Sequence, residues 1–449
     1  MRILLAVHAF PPRSTAGVEV YTLRLAKALL ARGHDVLVLT AVHDLDAPPY
    51  STRRRTHEGV DVAEIVNVHH HGTLARTYAD PDVDRAVAEV MATFRPECVH
   101  VQHLLNLSSG LIDCARASGA RVLLTVHDYW LGCVRDGLRM RADLALCATL
   151  DHATCATCLS GSPYLVPPVQ RGVAGLARRA GLGRYLHRLH DLAPRAVEGA
   201  LALARRAAPA DGAVLQNELD LRASTLRAAL EGVDLFLAPT VFAGDRTVEL
   251  GVPAAKVRLL PLGVLVHPPR PRAMVPRRRF GFVGTVAPHK GVHVLVEAFR
   301  GLHDPQATLD VHGSLTVQPS YVAELRRAAA GDSRIRFHGP FPEGDQARVL
   351  QTLDVLVLPS VWWENSPMTV LEALGAGRPV IASRIGGVPE IVPDGAGLLV
   401  PPGEVVPLRE ALAAVASGAA LGGPQAALPL ETVDAHAARL EALYGNPAP

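Results

Sequence analysis

Short aliphatic runs alternate with longer stretches of helical periodicity along the whole chain. In the first half the runs are Arg2 to Val7, Asp35 to Thr40, Cys98 to Val101, Arg121 to Val126 and Asp234 to Ala238. In the second half they are Phe280 to Val283, Thr308 to His312, Ile335 to His338, Val355 to Leu358, Pro379 to Ala382 and Gly397 to Val400. Such runs suit buried strands, and the periodic segments between them suit crossover helices. The pattern predicts an α/β protein built from two doubly wound parallel sheets.

The Pro- and Arg-rich segment from Val266 to Arg272 is stiff and poor in core-forming residues, so the boundary between the two halves is placed there. The expected domains are residues 1–265 and 273–428, followed by a last helical pattern within 429–449. A chain of 449 residues suits two domains of roughly 200 residues each. With 49% hydrophobic but only 4% aromatic residues, both cores must be aliphatic. A formal net charge of +2 gives no electrostatic reason to expect nucleic acid as a partner. Lysine is rare, occurring only at positions 27, 256 and 290, so a lysine inside a motif stands out. Met1-Arg2 leads straight into a strand-like run, and no apolar stretch reaches the roughly 20 residues of a membrane span. The expectation is a cytoplasmic protein with reduced thiols.

Candidate chemistry concentrates in the second half. After the buried run at Leu353 to Pro359 comes Trp362-Trp363-Glu364-Asn365-Ser366-Pro367-Met368, with a helix beginning near Pro367 and running through Glu372. Two carboxylates thus stand eight positions apart across a loop-to-helix junction. Backbone N–H groups around Ser366 to Thr369 would be the free donors of a helix start, which favour an anionic or hydroxyl-rich ligand. Upstream, Phe280 to Gly291 reads as strand, glycine turn and helix start, offering backbone N–H groups and the Lys290 ammonium to a phosphate. Gly386-Gly387-Val388-Pro389-Glu390 reads as a tight turn that closes the pocket.

Here the chain resembles the retaining glycosyltransferases of family 4, whose C-terminal domain carries a Glu-x7-Glu motif followed by a GGxPE turn. The resemblance implies a GT-B fold, with two Rossmann-like domains facing across a cleft and a C-terminal helix crossing back to the first domain. It also implies transfer of a sugar from a nucleotide-sugar donor to an alcohol acceptor: a glycan, a lipid-linked sugar or a small molecule. By the same resemblance Lys290 would neutralise the leaving diphosphate. Glu364 would hold donor-sugar hydroxyls and Glu372 the ribose, and the segment His338 to Phe341 would hold the base. Gly284, Asn365, Ser366, Pro367 and Met368 would complete the donor site. The family commonly places an arginine shortly after the strand glycine, where this chain has Thr285. No catalytic metal is expected.

In the first half, Ala16-Gly17-Val18-Glu19 opens a helix. Where the family usually has two adjacent glycines only Gly17 carries over, as a close backbone approach to diphosphate. His8, His100, His103 and His127 sit at predicted strand ends, which face the ligand crevice in such sheets. His127, followed by Asp128, matches the histidine that family members place beside the reacting sugar, where it would orient a hydroxyl. An insert at about 133–195 carries Cys133, Cys147, Cys155 and Cys158, a candidate structural zinc site that has free thiols as its alternative. His69-His70-His71 reads as loop. Arg178, Arg179, Arg184 and Arg188 interleave with leucines at helical spacing; such a helix either packs on its domain or rests peripherally on an anionic membrane. Two alternatives to the enzyme stay open: a weakly catalytic homologue acting as a binding or scaffold partner, and a sugar-nucleotide epimerase.

Overall fold

The computed structural model describes residues 1–67, 73–135, 137–160, 176, 212–266, 277–342, 344–419 and 430–445. The His69 to His71 run, the Arg178 to Arg188 pattern and residues 267–272 lie outside them.

The first unit runs β1 (Arg2–Val7), α1 (Gly17–Ala31), β2 (Asp35–Val42), β3 (Thr52–His57), β4 (Val60–Val66), α2 (Pro81–Phe94), β5 (Cys98–Val101), α3 (Gly110–Ala117), β6 (Arg121–Thr125), α4 (His152–Ser160), α5 (Gly212–Glu231), β7 (Leu235–Ala238), α6 (Val241–Val248) and β8 (Val257–Leu259). Its eight strands are ordered β3-β4-β2-β1-β5-β6-β7-β8. All pair in parallel except the edge strand β3, which runs antiparallel to β4. The run pattern misses this hairpin because β3 reads Thr-Arg-Arg-Arg-Thr-His. Its polarity is locally satisfied: Arg53 and Arg55 each donate at 2.6 Å to the buried carboxylate of Glu64 on β4.

The second unit runs β9 (Arg279–Val283), α7 (Val292–Arg300), β10 (Thr308–His312), α8 (Pro319–Ala328), β11 (Ile335–Gly339), α9 (Gln346–Thr352), β12 (Val355–Leu358), α10 (Met368–Gly375), β13 (Val380–Ser383), α11 (Val388–Ile391), β14 (Gly397–Val400) and α12 (Val405–Ala416). Its six strands are ordered β11-β10-β9-β12-β13-β14, all parallel.

Both orders reverse direction once, between β1 and β5 in the first sheet and between β9 and β12 in the second. Loops leaving the carboxyl ends of strands at such a switch point diverge to opposite faces and leave a crevice, where ligands of doubly wound sheets bind. That topology fixes the site: His8, Gln102 and His103 follow β1 and β5, and Gly284 and Ser360 follow β9 and β12.

Each sheet carries an apolar cluster on either face, built mainly from Leu, Val, Ile and Ala with a few Phe. The last helix, α13 (Val433–Gly445), leaves the second unit and packs on the first. Ala437, Leu440 and Tyr444 are buried in one cluster with Ile3, Leu5 and Leu25. Tyr444 Oη lies 2.7 Å from His100 Nδ1, and Tyr21 Oη lies 2.6 Å from His436 Nε2. Leu440→Ala leaves a cavity beneath β1 and should cost about 2–5 kcal/mol of stability, measured by urea denaturation.

Candidate active site

The donor side is assembled from two loops locked together. Lys290 ends a tight 3-10 turn (Pro288–Lys290), and Gly291 follows at φ +70°. A Cβ at Gly291 would lie 1.9 Å from the Pro359 carbonyl oxygen, so only glycine lets this turn sit against the end of β12. The Val361 N–H donates to the His289 carbonyl at 3.0 Å, fixing the two loops edge to edge. As a result the Lys290 ammonium lies 2.7 Å from Glu364 Oε1 and 4.8 Å from the centre of the Trp362 ring. Ser360 Oγ donates to the same Glu364 oxygen at 2.5 Å. Burial works to raise the Glu364 pKa, but the Lys290 charge and the two hydrogen bonds outweigh it, holding the carboxyl below its usual value.

The glycine turn supports this loop from behind. Gly386 sits at φ +56°, where a Cβ would lie 2.1 Å from the Glu364 carbonyl oxygen, and the Gly387 N–H donates to that oxygen at 2.8 Å. Helix α10 then starts at Met368 with Pro367 as its N-cap and no side-chain cap, leaving its first N–H groups free of side-chain partners. At the far side of the second switch point, the Gly284 N–H donates to the His312 carbonyl. Phe341 stands edge-on to His312, 6.2 Å between ring centres.

Glu372, one turn into α10, is 2% exposed. Its carboxylate accepts from the buried Arg24 guanidinium of α1 at 2.5 Å and from the Gln346 amide. Arg24 is the main residue the sequence reading missed: 348 positions separate it from Glu372, and nothing local marks an arginine on an amphipathic helix as reaching across a cleft.

Other contacts bridge the same cleft. Asn365 Nδ2 donates to the Val126 carbonyl at 2.6 Å, and Thr240 Oγ1 donates to Asn365 Oδ1 at 3.1 Å. The Glu390 carboxylate accepts the Val241 and Phe242 N–H groups at 2.6 and 2.8 Å, capping α6 of the first unit. Tyr129, Met140 and Trp362 form a small apolar cluster joined by Phe242 and Trp363, with the buried Arg139 guanidinium 4.9 Å from the Trp363 ring centre. The Gly-Gly-Val-Pro-Glu segment is therefore both a turn and a clasp.

On the first unit, α1 opens at Gly17 with no side-chain cap, and a Cβ at Gly17 would meet no atom within 4 Å. Its N-terminal amides face open space, which suits close approach by an anion. His127 is half-buried beside Tyr21 of α1, ring centres 5.1 Å apart, with its Nε2 2.8 Å from Gln102 Oε1. Burial first, then the neighbouring His103, pushes its pKa down to about 3, so the ring is neutral at physiological pH. His8 and His103 also reach the crevice, their ring centres 4.5 Å apart. His100 does not: it lies in the core between Tyr444 and Thr125.

Cys155 and Cys158 share α4, while Cys133 is buried with its Sγ 3.8 Å from the Arg135 carbonyl. All four insert cysteines are free thiols. Among the described residues no three His, Cys, Asp or Glu side chains converge closely enough to hold a metal ion. Burial, followed by the neighbouring thiols Cys133, Cys147 and Cys158, pushes Cys155 up to about 12.

Two parallel doubly wound sheets with facing crevices, bridged by a returning C-terminal helix, define the GT-B architecture. Solved structures share it end to end. Anabaena HepE in complex with UDP and glucose matches with a TM-score of 0.62 at 14% identity, over 99% of both chains. Sucrose-phosphate synthase from Thermosynechococcus elongatus matches with a TM-score of 0.63 at 22% identity, over 99% of this chain and 98% of that one. Residues 15–162 match the model described as Glycosyltransferase Family 4, and residues 277–417 the model described as Glycosyl transferases group 1. Residues 15–162 thus form a family 4 glycosyltransferase domain and residues 277–417 a group 1 glycosyl transferase domain. Among curated relatives, a D-inositol 3-phosphate glycosyltransferase of Arthrobacter sp. (strain FB24) is 30% identical over 234 residues, 51% of this chain and 50% of that protein. A phosphatidyl-myo-inositol mannosyltransferase of Mycobacterium leprae is 32% identical over 130 residues, 28% of this chain and 34% of that protein. The chain spans half or less of the length of these curated relatives.

Two measurements check the site. Gly386→Ala forces a side chain into the Glu364 backbone at a left-handed position and should destabilise the protein by about 2 kcal/mol or more in thermal or urea melts. The second concerns pH. Burial holds His127 at about 3 and His289 and His436 at about 4, all far below the unfolded value of 6.5. The unfolded chain therefore binds more protons, so the stability these rings contribute is complete above pH 6.5 and is lost as pH falls toward 4. The melting temperature should drop progressively through that window; a flat profile would contradict the buried neutral imidazoles.

Proposed function

We propose that the protein transfers a sugar from a nucleoside-diphosphate donor to an alcohol acceptor with retention at the anomeric carbon, in the assembly of a glycan, glycolipid or glycoside. The observation that carries this reading is the Lys290–Glu364 pair, one cation and one carboxylate 2.7 Å apart at the crevice of the second sheet. As the bond from the anomeric carbon to the diphosphate oxygen breaks, its electron pair leaves with the diphosphate. Lys290 and the free amides at the starts of α1 and α10 are the groups suited to receive that charge. Glu364 would orient the donor sugar's hydroxyls, and Glu372, its rotamer fixed by Arg24 and Gln346, would hold the ribose. Phe341 and its neighbours would flank the base. His127, neutral and hydrogen-bonded to Gln102, would orient a hydroxyl near the reacting carbon.

The structures of Anabaena HepE with UDP and with UDP-glucose support a nucleotide-sugar donor for this fold. The curated relatives' names support a polyol as acceptor. No helix among the described residues is long and apolar enough to cross a membrane.

Thr285 favours a second reading, in which the site binds a nucleotide sugar but turns it over poorly, because the usual second cation is missing. Turnover decides between them. With the nucleotide sugar that most raises the melting temperature, the wild type should release nucleotide in an acceptor-dependent way. Lys290→Ala should lower kcat/KM on the order of a hundredfold at temperatures where the variant is fully folded, and, because it leaves the buried Glu364 carboxylate without its cation, should lower the melting temperature as well. An unchanged kcat/KM would remove Lys290 from the mechanism.

A further inference from the structure

The insert that follows β6 carries a set of soft metal ligands that takes no part in the cleft. Its cysteines are spaced Cys133-x13-Cys147-x7-Cys155-x2-Cys158. Cys133 lies on the loop after β6, Cys147 follows the short hairpin closed by the Met140–Leu146 bridge, and Cys155 and Cys158 share one face of α4. Backbone bonds hold the two loop cysteines in place: the Cys133 N–H donates to the Tyr129 carbonyl and the Cys147 N–H to the Arg139 carbonyl, each at 2.8 Å. Cys133 is buried, and all four side chains are thiols. Three separate segments thus bring Cys133, Cys147 and Cys158 around Cys155, near enough that their charges would oppose its ionisation.

The cations around these thiols are a second, independent observation. Arg222, on the helix α5 that packs along α4, is 4% exposed. Its guanidinium hydrogen-bonds main-chain carbonyls only, Trp130 at 2.5 Å and Leu131 at 3.3 Å. The half-buried Arg135 side chain likewise donates to the Met140 carbonyl at 2.9 Å. Among the described residues neither makes an ion pair with a carboxylate, whereas Arg139 is paired with Glu249 and Arg141 with Asp143. A guanidinium does not shed its proton, so a buried one calls for an anion. The groups beside Arg222 whose ionised forms would meet its charge are Cys133, Tyr78 and Cys155, and Arg135 stands beside Cys147. Asp151, near Cys155, spends its carboxylate on the Ala153 and Thr154 N–H groups at the start of α4. Four protonated thiols leave two cations unmatched. Four thiolates on one divalent ion carry two net negative charges, which match them.

We propose that Cys133, Cys147, Cys155 and Cys158 bind one soft divalent cation, zinc foremost, as a tetrathiolate whose charge Arg222 and Arg135 balance. Thiolate ligands select zinc over magnesium or calcium. As the side chains stand no three thiols meet at a common centre, so binding turns them inward. Four S–H bonds give way to four sulfur–metal bonds, and the four protons pass to solvent. With every position taken by a thiolate none remains for water, so the ion is structural. It fixes the hairpin that packs Met140 with Trp362 and holds Arg139 4.9 Å from the Trp363 ring centre. The inference does not depend on what the cleft transfers.

The test uses the full chain purified under reducing conditions without chelators. Elemental analysis should find about one zinc per chain, and titration with p-hydroxymercuribenzoate should release it in step with the reaction of about four thiols. Exchange for Co(II) should give the sulfur-to-cobalt charge-transfer band and the intense visible bands of a tetrahedral thiolate site. Cys155→Ser should abolish both the zinc and the cobalt spectrum, whereas Cys114→Ser, outside the insert, should keep them. Arg135→Gln should retain the metal but hold it about tenfold more weakly in competition with a chelator, because a balancing charge is gone. If Cys155→Ser does not fold, the mercurial titration and the cobalt spectrum of the wild type decide. No metal as purified and none taken up from added zinc or Co(II), the weak bands of an octahedral cobalt ion, zinc retained by folded Cys155→Ser, or an affinity unmoved in Arg135→Gln would each overturn the proposal.

Discussion

One buried ion pair organises the cleft. Glu364 is almost fully enclosed, and an enclosed carboxylate is tolerable only if its charge is met by a cation and by hydrogen bonds of good geometry. Lys290 and Ser360 supply them, and each requirement propagates outward. Lys290 can reach Glu364 only because Gly291 lets its turn press on Pro359. The Glu364 backbone, in turn, can be gripped only by residues without side chains, which is what Gly386 and Gly387 provide. Gly291 on one side and the Gly386-Gly387 turn on the other thus hold the loop that carries one carboxylate.

The same loop is where the two units meet. Asn365, adjacent to Glu364, is bound by Val126 and Thr240 of the first unit, and Glu390, three residues past Gly387, caps α6. Arg24 reaches back in the other direction to Glu372. Groups read as contacting the donor are therefore themselves interdomain contacts. A change in how the two sheets face each other would also shift Asn365, Glu372 and Glu390, whose bonds cross between them.

Much of this was legible in the chain. Buried parallel strands announce themselves as continuous apolar runs, and all eleven runs read from the sequence overlap strands whose order sets both switch points; Glu364, Glu372 and Lys290 fell at a loop-to-helix junction and a glycine turn that the residue types alone mark out. What stayed hidden has physical reasons. The β3–β4 hairpin hides because its arginines satisfy Glu64 across the ladder rather than presenting an apolar face. β8, three residues with an exposed tail, is too short to carry a period. His100 looks like a crevice residue by position along β5, yet its side chain points to the opposite face from its neighbours and meets Tyr444 of a helix more than 300 residues away. Arg24 and Glu390 act only through tertiary contacts, and no local pattern encodes those.

The central claim is that Lys290 and the helix-start amides face the diphosphate of a nucleotide donor. Calorimetric titration tests it most directly: UDP, GDP and ADP are compared with their monophosphates, first on the wild type and then on Lys290→Ala. The account predicts one site per chain at which the preferred diphosphate binds at least about tenfold more tightly than its monophosphate, a difference that collapses in the variant. Equal affinity for the diphosphate and the monophosphate in the wild type, or a preference untouched by removing Lys290, would contradict it.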